Sequence, residues 1–281
     1  MTRLDRRALF TSGAAAALLT ASGVSLEAAP RAGGRLRLAV AREEDALTRV
    51  AKGAVFDTLT EIGPDGALLG ELACQWQGNA DAREWLFDLR DGTEFHNGTA
   101  LGAGDVVASI RAHSDVLRDV IAVEAVDRLQ IRLVLKHGNP DLPYLLADPA
   151  LIIAPGGQVD LPLSRAIGTG LYRVGRVQER WHFLGNRVER HYKDGLAGWV
   201  DSIEVIVISH ADVRAEALRD GYVDVAALPL PDGLLGRGEF QYHPSVQDMA
   251  LAAQHGVGVP KRIGSRSALD DGRIAERWWK T

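Results

Sequence analysis

The stretch VDSIEVIVIS, residues 200–209, carries Ile203, Val205, Ile206, Val207 and Ile208, so that an extended chain is apolar on both faces. Such a strand is stable only inside a sheet that is covered above and below. The rest of the chain must then supply flanking strands and covering helices, and its periodicities do. GRLRLAVA alternates Leu36, Leu38 and Val40. REWLFDLR alternates Trp85, Phe87 and Leu89, and DRLQIRLVLK alternates Leu129, Ile131, Leu133 and Leu135. Each predicts a half-buried strand. Residues 168–192 read as a short meander. Helical spacing joins Leu47, Val50, Ala51, Ala54, Val55 and Leu59. A second helix is predicted in HADVRAEALRDGYVDVA: Asp212 caps it, Val213, Ala217 and Leu218 face the core, and Gly221 lies past its end. VDVAAL then resumes an extended chain. Strands and helices without a strict repeat predict a mixed α/β fold. After Leu230, PLPDGLLGRGEF and QHGVGVPKRIGSRS read as loops, and ALDDGRIAERWWKT as a short terminal helix.

Charge and cysteine content narrow the function classes. The formal charge of −5 over 281 residues, with no clustered Lys and Arg, excludes a nucleic-acid surface. The N-terminus has the composition of a secretory signal: Arg3, Arg6 and Arg7, then an alanine-rich apolar stretch, then small residues at LEAAP. The Arg6–Arg7 pair followed by Leu9 and Phe10 resembles a twin-arginine signal. Cleavage near Ala28 or Ala29 predicts a protein free in the periplasm. Loss of three Arg, one Asp and one Glu would take the charge from −5 to −6. Cys74 is the only cysteine, which excludes an intrachain disulfide, and LACQW predicts a small buried side chain there.

The segment TEFHNGTALGAGDVVASI, residues 93–110, has the look of a catalytic or phosphate-cradling loop. Its glycines do not fit one. No lysine follows as in a P-loop, and Gly102-x-Gly104 runs into Asp105, Val106 and Val107 where a dinucleotide fingerprint needs a third glycine. Asn97–Gly98 reads as a turn, Asp105 as a helix-starting acid, and Val106, Val107 and Ile110 as core positions. His96 has no adjacent nucleophile and reads as a hydrogen-bonded structural histidine. The eight histidines form no pair at metal-ligand spacing, and no G-x-S-x-G elbow occurs. No catalytic residue, metal ligand or cofactor is nominated.

Four stretches, taken in order over about residues 36–228, do resemble one family. VFDTLTEIGPDGALLGELACQW, WLFDLRDGTEFHNGTALGAGDVVASI, IGTGLYRV and WVDSIEVIVISHADVRAEALRDGYVDVA are similar to the bacterial extracellular solute-binding proteins of the peptide/nickel class, family 5. Leu171 stands where the family's GTGPY has proline. The resemblance implies the first lobe of a type II periplasmic-binding-protein-like α/β fold, with the second lobe largely missing, because family members are longer and hold the ligand between two lobes. It also implies a non-enzymatic protein, without cofactor, that serves an ABC importer and its membrane permease. The solute would be a small peptide or a related molecule. Family positions that line the cleft correspond to Ala41, Arg42 and Glu43 after the first strand and to Ala226, Ala227 and Leu228 at the crossover. The aspartate that holds a peptide's amino group belongs to the missing part, so no residue here inherits it. On this reading residues 1–29 are the signal, 30–230 the solute-binding lobe, and 231–281 a loop-rich extension. The alternative is an accessory or scaffold protein whose exposed cleft face binds a protein partner or a second copy. Trp278 and Trp279 would then anchor that partner, or else dock the tail onto the core.

Overall fold

The computed structural model describes residues 33–42, 45–63, 66–229, 234, 240–244 and 250–254. The elements in chain order are β1 (Arg35–Val40), α1 (Ala46–Val55), β2 (Thr60–Ile62), β3 (Leu68–Gly70), β4 (Ala73–Gly78), β5 (Glu84–Leu89), α2 (Ala103–Ala112), β6 (Val120–Asp127), β7 (Gln130–Leu135) and the single turn α3 (Leu142–Leu145). There follow β8 (Tyr172–Gln178), β9 (His182–Arg187), β10 (Ser202–Val207), α4 (Ala211–Arg219), β11 (Val225–Leu228), β12 (Phe240–Pro244) and β13 (Ala250–Gln254).

The doubly apolar strand lies where its composition demands. The larger sheet has the order β12-β13-β11-β1-β10-β9-β8, with β10 inside it. β10 pairs in parallel with β1 from Arg35 opposite Ser202 to Val40 opposite Val207. On β10, Ile203, Val205 and Val207 meet Leu47, Val50 and Ala54 of α1. Ile206 and Ile208 instead meet the cluster of Leu218 from α4. β1 divides in the same way: Leu36, Leu38 and Val40 face α1, and Ala39 faces α4. β11 is parallel to β1 on its other side, so α4 carries the chain from β10 across β1 to β11.

The second sheet, β4-β5-β7-β6, is antiparallel throughout, with one dry face. Trp85, Phe87 and Leu89 of β5 and Ile131, Leu133 and Leu135 of β7 pack there with Val106, Val107 and Ile110 of α2. The opposite face is wet, and Arg132 bonds Glu124 across it at 2.9 Å. Helix α2 begins as its acid predicts. Asp105 Oδ2 accepts the Gly102 N–H at 3.1 Å, and its Oδ1 accepts the Gly156 N–H at 2.8 Å.

A buried polar seam runs between the two bodies. Lys193 Nζ donates to Glu71 Oε1 at 2.7 Å and to Glu61 Oε2 at 3.0 Å. The other Glu71 oxygen accepts the Thr58 N–H and hydroxyl at 2.8 and 2.9 Å. The His191 ring stacks on Tyr192 with centroids 4.2 Å apart, and Arg90 lies over the Tyr192 ring at 4.8 Å.

Four sequence expectations need correction. Cys74 is exposed on the outer strand β4, because it falls on the wet side of a strand whose alternation LACQW conceals. Leu59 is buried, but α1 ends at Val55, and the extended backbone of Phe56 carries Leu59 into the other core. The N-cap of α4 is His210, which puts Asp212 inside the first turn, and Val213 is 44% exposed. Part of the supposed loop-rich extension is the hairpin β12–β13, and β13 pairs with the free edge of β11. The terminal helix, with Trp278 and Trp279, and the signal segment lie outside the described residues.

Candidate functional site

In an open α/β sheet the crevice beyond the carboxyl ends of the strands is where side chains and backbone groups converge, above all where adjacent strands send their chains to opposite faces. β1 and β10 meet that condition: β1 leads to α1 on one face, and β10 to α4 on the other. A groove of about 570 Å³ opens there, lined by Ala41, Arg42, Asp45, Ala46, Leu47, Arg180 and Val207.

The groove has a dry floor and a charged rim. Ala41, Ala46, Leu47 and Val207 are buried, whereas Arg42, Asp45 and Arg180 are exposed. The Arg42 guanidinium lies 4.1 Å above the Trp181 ring, and Trp181 is 45% exposed. Arg180 and Trp181 come from the β8–β9 turn, which is fastened at both sides: the Trp181 N–H donates to the Gln178 carbonyl at 3.0 Å, and its carbonyl accepts the Val207 N–H at 2.9 Å. Asp45 and Arg180 have φ of 51° and 66°. Apart from glycine, only Ala82 shares that left-handed region among the described residues. Asp45 Oδ1 accepts the Thr48 hydroxyl at 2.8 Å.

Of the residues singled out in the sequence, Ala41 and Arg42 line this groove. Glu43 lies outside the described residues. Ala226, Ala227 and Leu228 form the buried end of β11, beyond β1 from the groove. Their position is held by Arg214, itself buried, whose Nε donates to the Ala227 carbonyl at 2.6 Å while Nη1 reaches the carbonyls of Ile208 and Ser209. That one side chain ties the exit of β10 to the exit of β11. Sequence reasoning missed Asp45, Arg180, Trp181 and Val207. An exposed tryptophan beside arginine in the polar turn of a hairpin was the available signal.

A second groove, of about 340 Å³, lies between α2 and β6. Its charged lining is already engaged: Arg111 donates to the Val123 carbonyl at 3.1 Å, and Glu124 is bonded by Arg132. The segment TEFHNGTALGAGDVVASI is likewise engaged within the fold. His96 donates through its backbone N–H to the Gly168 carbonyl at 2.9 Å and through Nε2 to the Gly170 carbonyl at 2.7 Å. It staples the GTG segment in place, and its pKa is lowered by burial, partly offset by the bond to Gly170.

Residues 67–243 match the family model described as bacterial extracellular solute-binding proteins, family 5 Middle. Among curated proteins, the chain is 25% identical over 261 residues to di/tripeptide-binding protein 2 of Pseudomonas aeruginosa, covering 78% of this chain and 47% of the relative. It is also 25% identical over 260 residues to a probable peptide ABC transporter periplasmic-binding protein of Sinorhizobium fredii, covering 80% and 49%. The chain spans about half the length of these curated relatives. Among solved structures it is similar in fold to the periplasmic binding protein DppA of Helicobacter pylori in complex with a peptide. There the TM-score is 0.68 at 20% identity, over 76% of this chain and 51% of the other.

Proposed function

Because the chain belongs to the bacterial extracellular solute-binding proteins of family 5, we propose that it captures a peptide or a related small solute and delivers it to a membrane ABC permease. The family match over residues 67–243 carries this reading. The groove at the carboxyl ends of β1 and β10 supports it, since that is the part of an open α/β sheet where small ligands are taken. Two relatives with peptide-binding names point to peptides as the solute class. The same reading makes the basic and alanine-rich N-terminus an export signal of twin-arginine type, cleaved near Ala28–Ala29, and places the mature protein in the periplasm. The larger sheet, with the β12–β13 hairpin on its edge, then carries the binding face, with Ala41, Arg42 and Glu43 at the ligand and Ala226, Ala227 and Leu228 at the crossover.

The test is a native mass spectrum of the protein released gently from the periplasm. A mass excess equal to one small solute, lost on denaturation, supports capture. A bare chain that also stays bare after incubation with a peptide digest overturns it. So does a chain found only in a stoichiometric complex with another protein and no solute, which would indicate an accessory role.

A further inference from the structure

We propose that the groove between the ends of β1 and β10 is a carboxylate subsite, in which Arg42 and Arg180 take the acid group of the solute. The proposal rests on the solute-binding reading above and narrows its substrate class. Among the described residues neither guanidinium makes an ion pair or hydrogen bond, in contrast with Arg35, Arg37 and Arg132, which all pair with carboxylates. Arg42 is also pre-oriented. Contact with the Trp181 ring, 4.1 Å from the guanidinium carbon, restricts where Arg42 can swing, and a guanidinium offers a planar fork to a two-pronged acceptor. A carboxylate has that shape.

The second cation is placed by backbone as much as by side chain. Arg180 sits in the left-handed region, and the turn that carries it is bonded back to Gln178 and to Val207. Among the described residues, two of the three non-glycine residues in that conformation, Asp45 and Arg180, belong to this one groove. Such strained residues collect at ligand clamps. Among the described lining residues, the two guanidinium groups stand beside one carboxylate, that of Asp45. One Asp45 oxygen is occupied by Thr48. The buried floor of Ala41, Ala46, Leu47 and Val207 then suits the short apolar body of the solute.

The experiment measures binding by calorimetry to the whole protein with four probes: L-alanyl-L-alanine, its C-terminal amide, succinate and inorganic phosphate. At least one of the two carboxylate probes is expected to bind, and the amide at least about tenfold more weakly than the dipeptide acid. Arg42→Ala and Arg180→Ala, both at exposed positions and checked for folding by thermal denaturation, are each expected to weaken the carboxylate probe about tenfold. Arg42→Lys restores only part, because an ammonium lacks the planar fork. Equal binding of acid and amide overturns the carboxylate assignment. Binding unchanged in the Arg42→Ala/Arg180→Ala double variant does the same, as does binding of phosphate alone or of none of the probes. The co-purified solute in the native mass spectrum decides separately whether solute capture itself stands.

Discussion

Lys193 shows what a single side chain contributes. Its ammonium is the cation between Glu71, which is fully buried, and Glu61. Replacing one member of a buried charge pair by an apolar group typically costs about 3–5 kcal/mol, because the remaining charge cannot return to water. Lys193→Met is therefore expected to lower the urea midpoint by that amount of stability, and Lys193→Met/Glu71→Gln to recover part of it. Additive losses in that cycle would show that the pair does not act as one. His96 sets a pH dependence. Burial holds its pKa below the usual 6.5, so the unfolded chain takes up a proton at a higher pH than the folded one. The contribution of neutral His96 is complete above pH 6.5 and is lost as pH falls toward its lowered value. Glu204 is a second group held below its ordinary value. Burial works to raise its pKa, but hydrogen bonds from His182 and Arg35 outweigh it and hold the carboxylate below the usual range. Thermal denaturation across pH should thus give a plateau above neutrality and a decline beginning near pH 6.5. His96→Gln should flatten the upper part of that decline and leave the acid limb in place.

At the scale of elements, glycines that look alike in sequence do opposite work. Gly104 is exposed in the first turn of α2, with nothing near the place a Cβ would occupy. Gly104→Ala is expected to stabilise by up to about 1 kcal/mol, as less backbone freedom is lost on folding. Gly170 lies against the end of α1, where its N–H donates to the Val55 carbonyl at 2.9 Å and a Cβ would strike the Ala54 and Val55 backbone. Gly170→Ala is expected to cost about 1–3 kcal/mol through that overpacking. Denaturant midpoints of the two variants, shifted in opposite directions, would confirm the contrast. The alternation of β1, β5 and β7 and the end of α4 at Asp220, with Gly221 at φ 77°, were legible in the sequence. β13 was not. ALAAQ carries only small apolar side chains at its core positions, and Ala252 and Ala253 become strand residues because the edge of β11 offers them hydrogen bonds.

Among the described residues there are three apolar clusters, one on each face of the larger sheet and one under the second sheet, and the larger sheet runs on past the point that composition implies. Ala252 packs with Leu218 and Leu228, and the Gln254 side chain donates to the carbonyls of Leu218 and Val223 at 3.0 and 3.2 Å. Ending the chain after Leu230 would strip the hairpin from β11 and bare a sheet edge. That truncation is expected to aggregate and to melt well below a chain ending after Gln254, as light scattering and thermal denaturation would show. The groove, too, is a property of the assembled molecule. It draws Arg42 and Asp45 from the β1–α1 junction, Arg180 from a hairpin turn about 140 residues later, and Val207 from β10.

From sequence alone came the mixed α/β class, the interior position of Ile203–Val207, the structural role of His96 and the family resemblance. These depend on local periodicity, turn chemistry and ordered motifs, all properties of neighbours along the chain. Which strand covers the edge of β11, which face of β4 carries Cys74, and that Arg42 stacks on Trp181 were decided only by tertiary structure. Each depends on what a residue meets across space, and side chains of the same type and spacing are solvated or engaged according to the partner the fold brings to them.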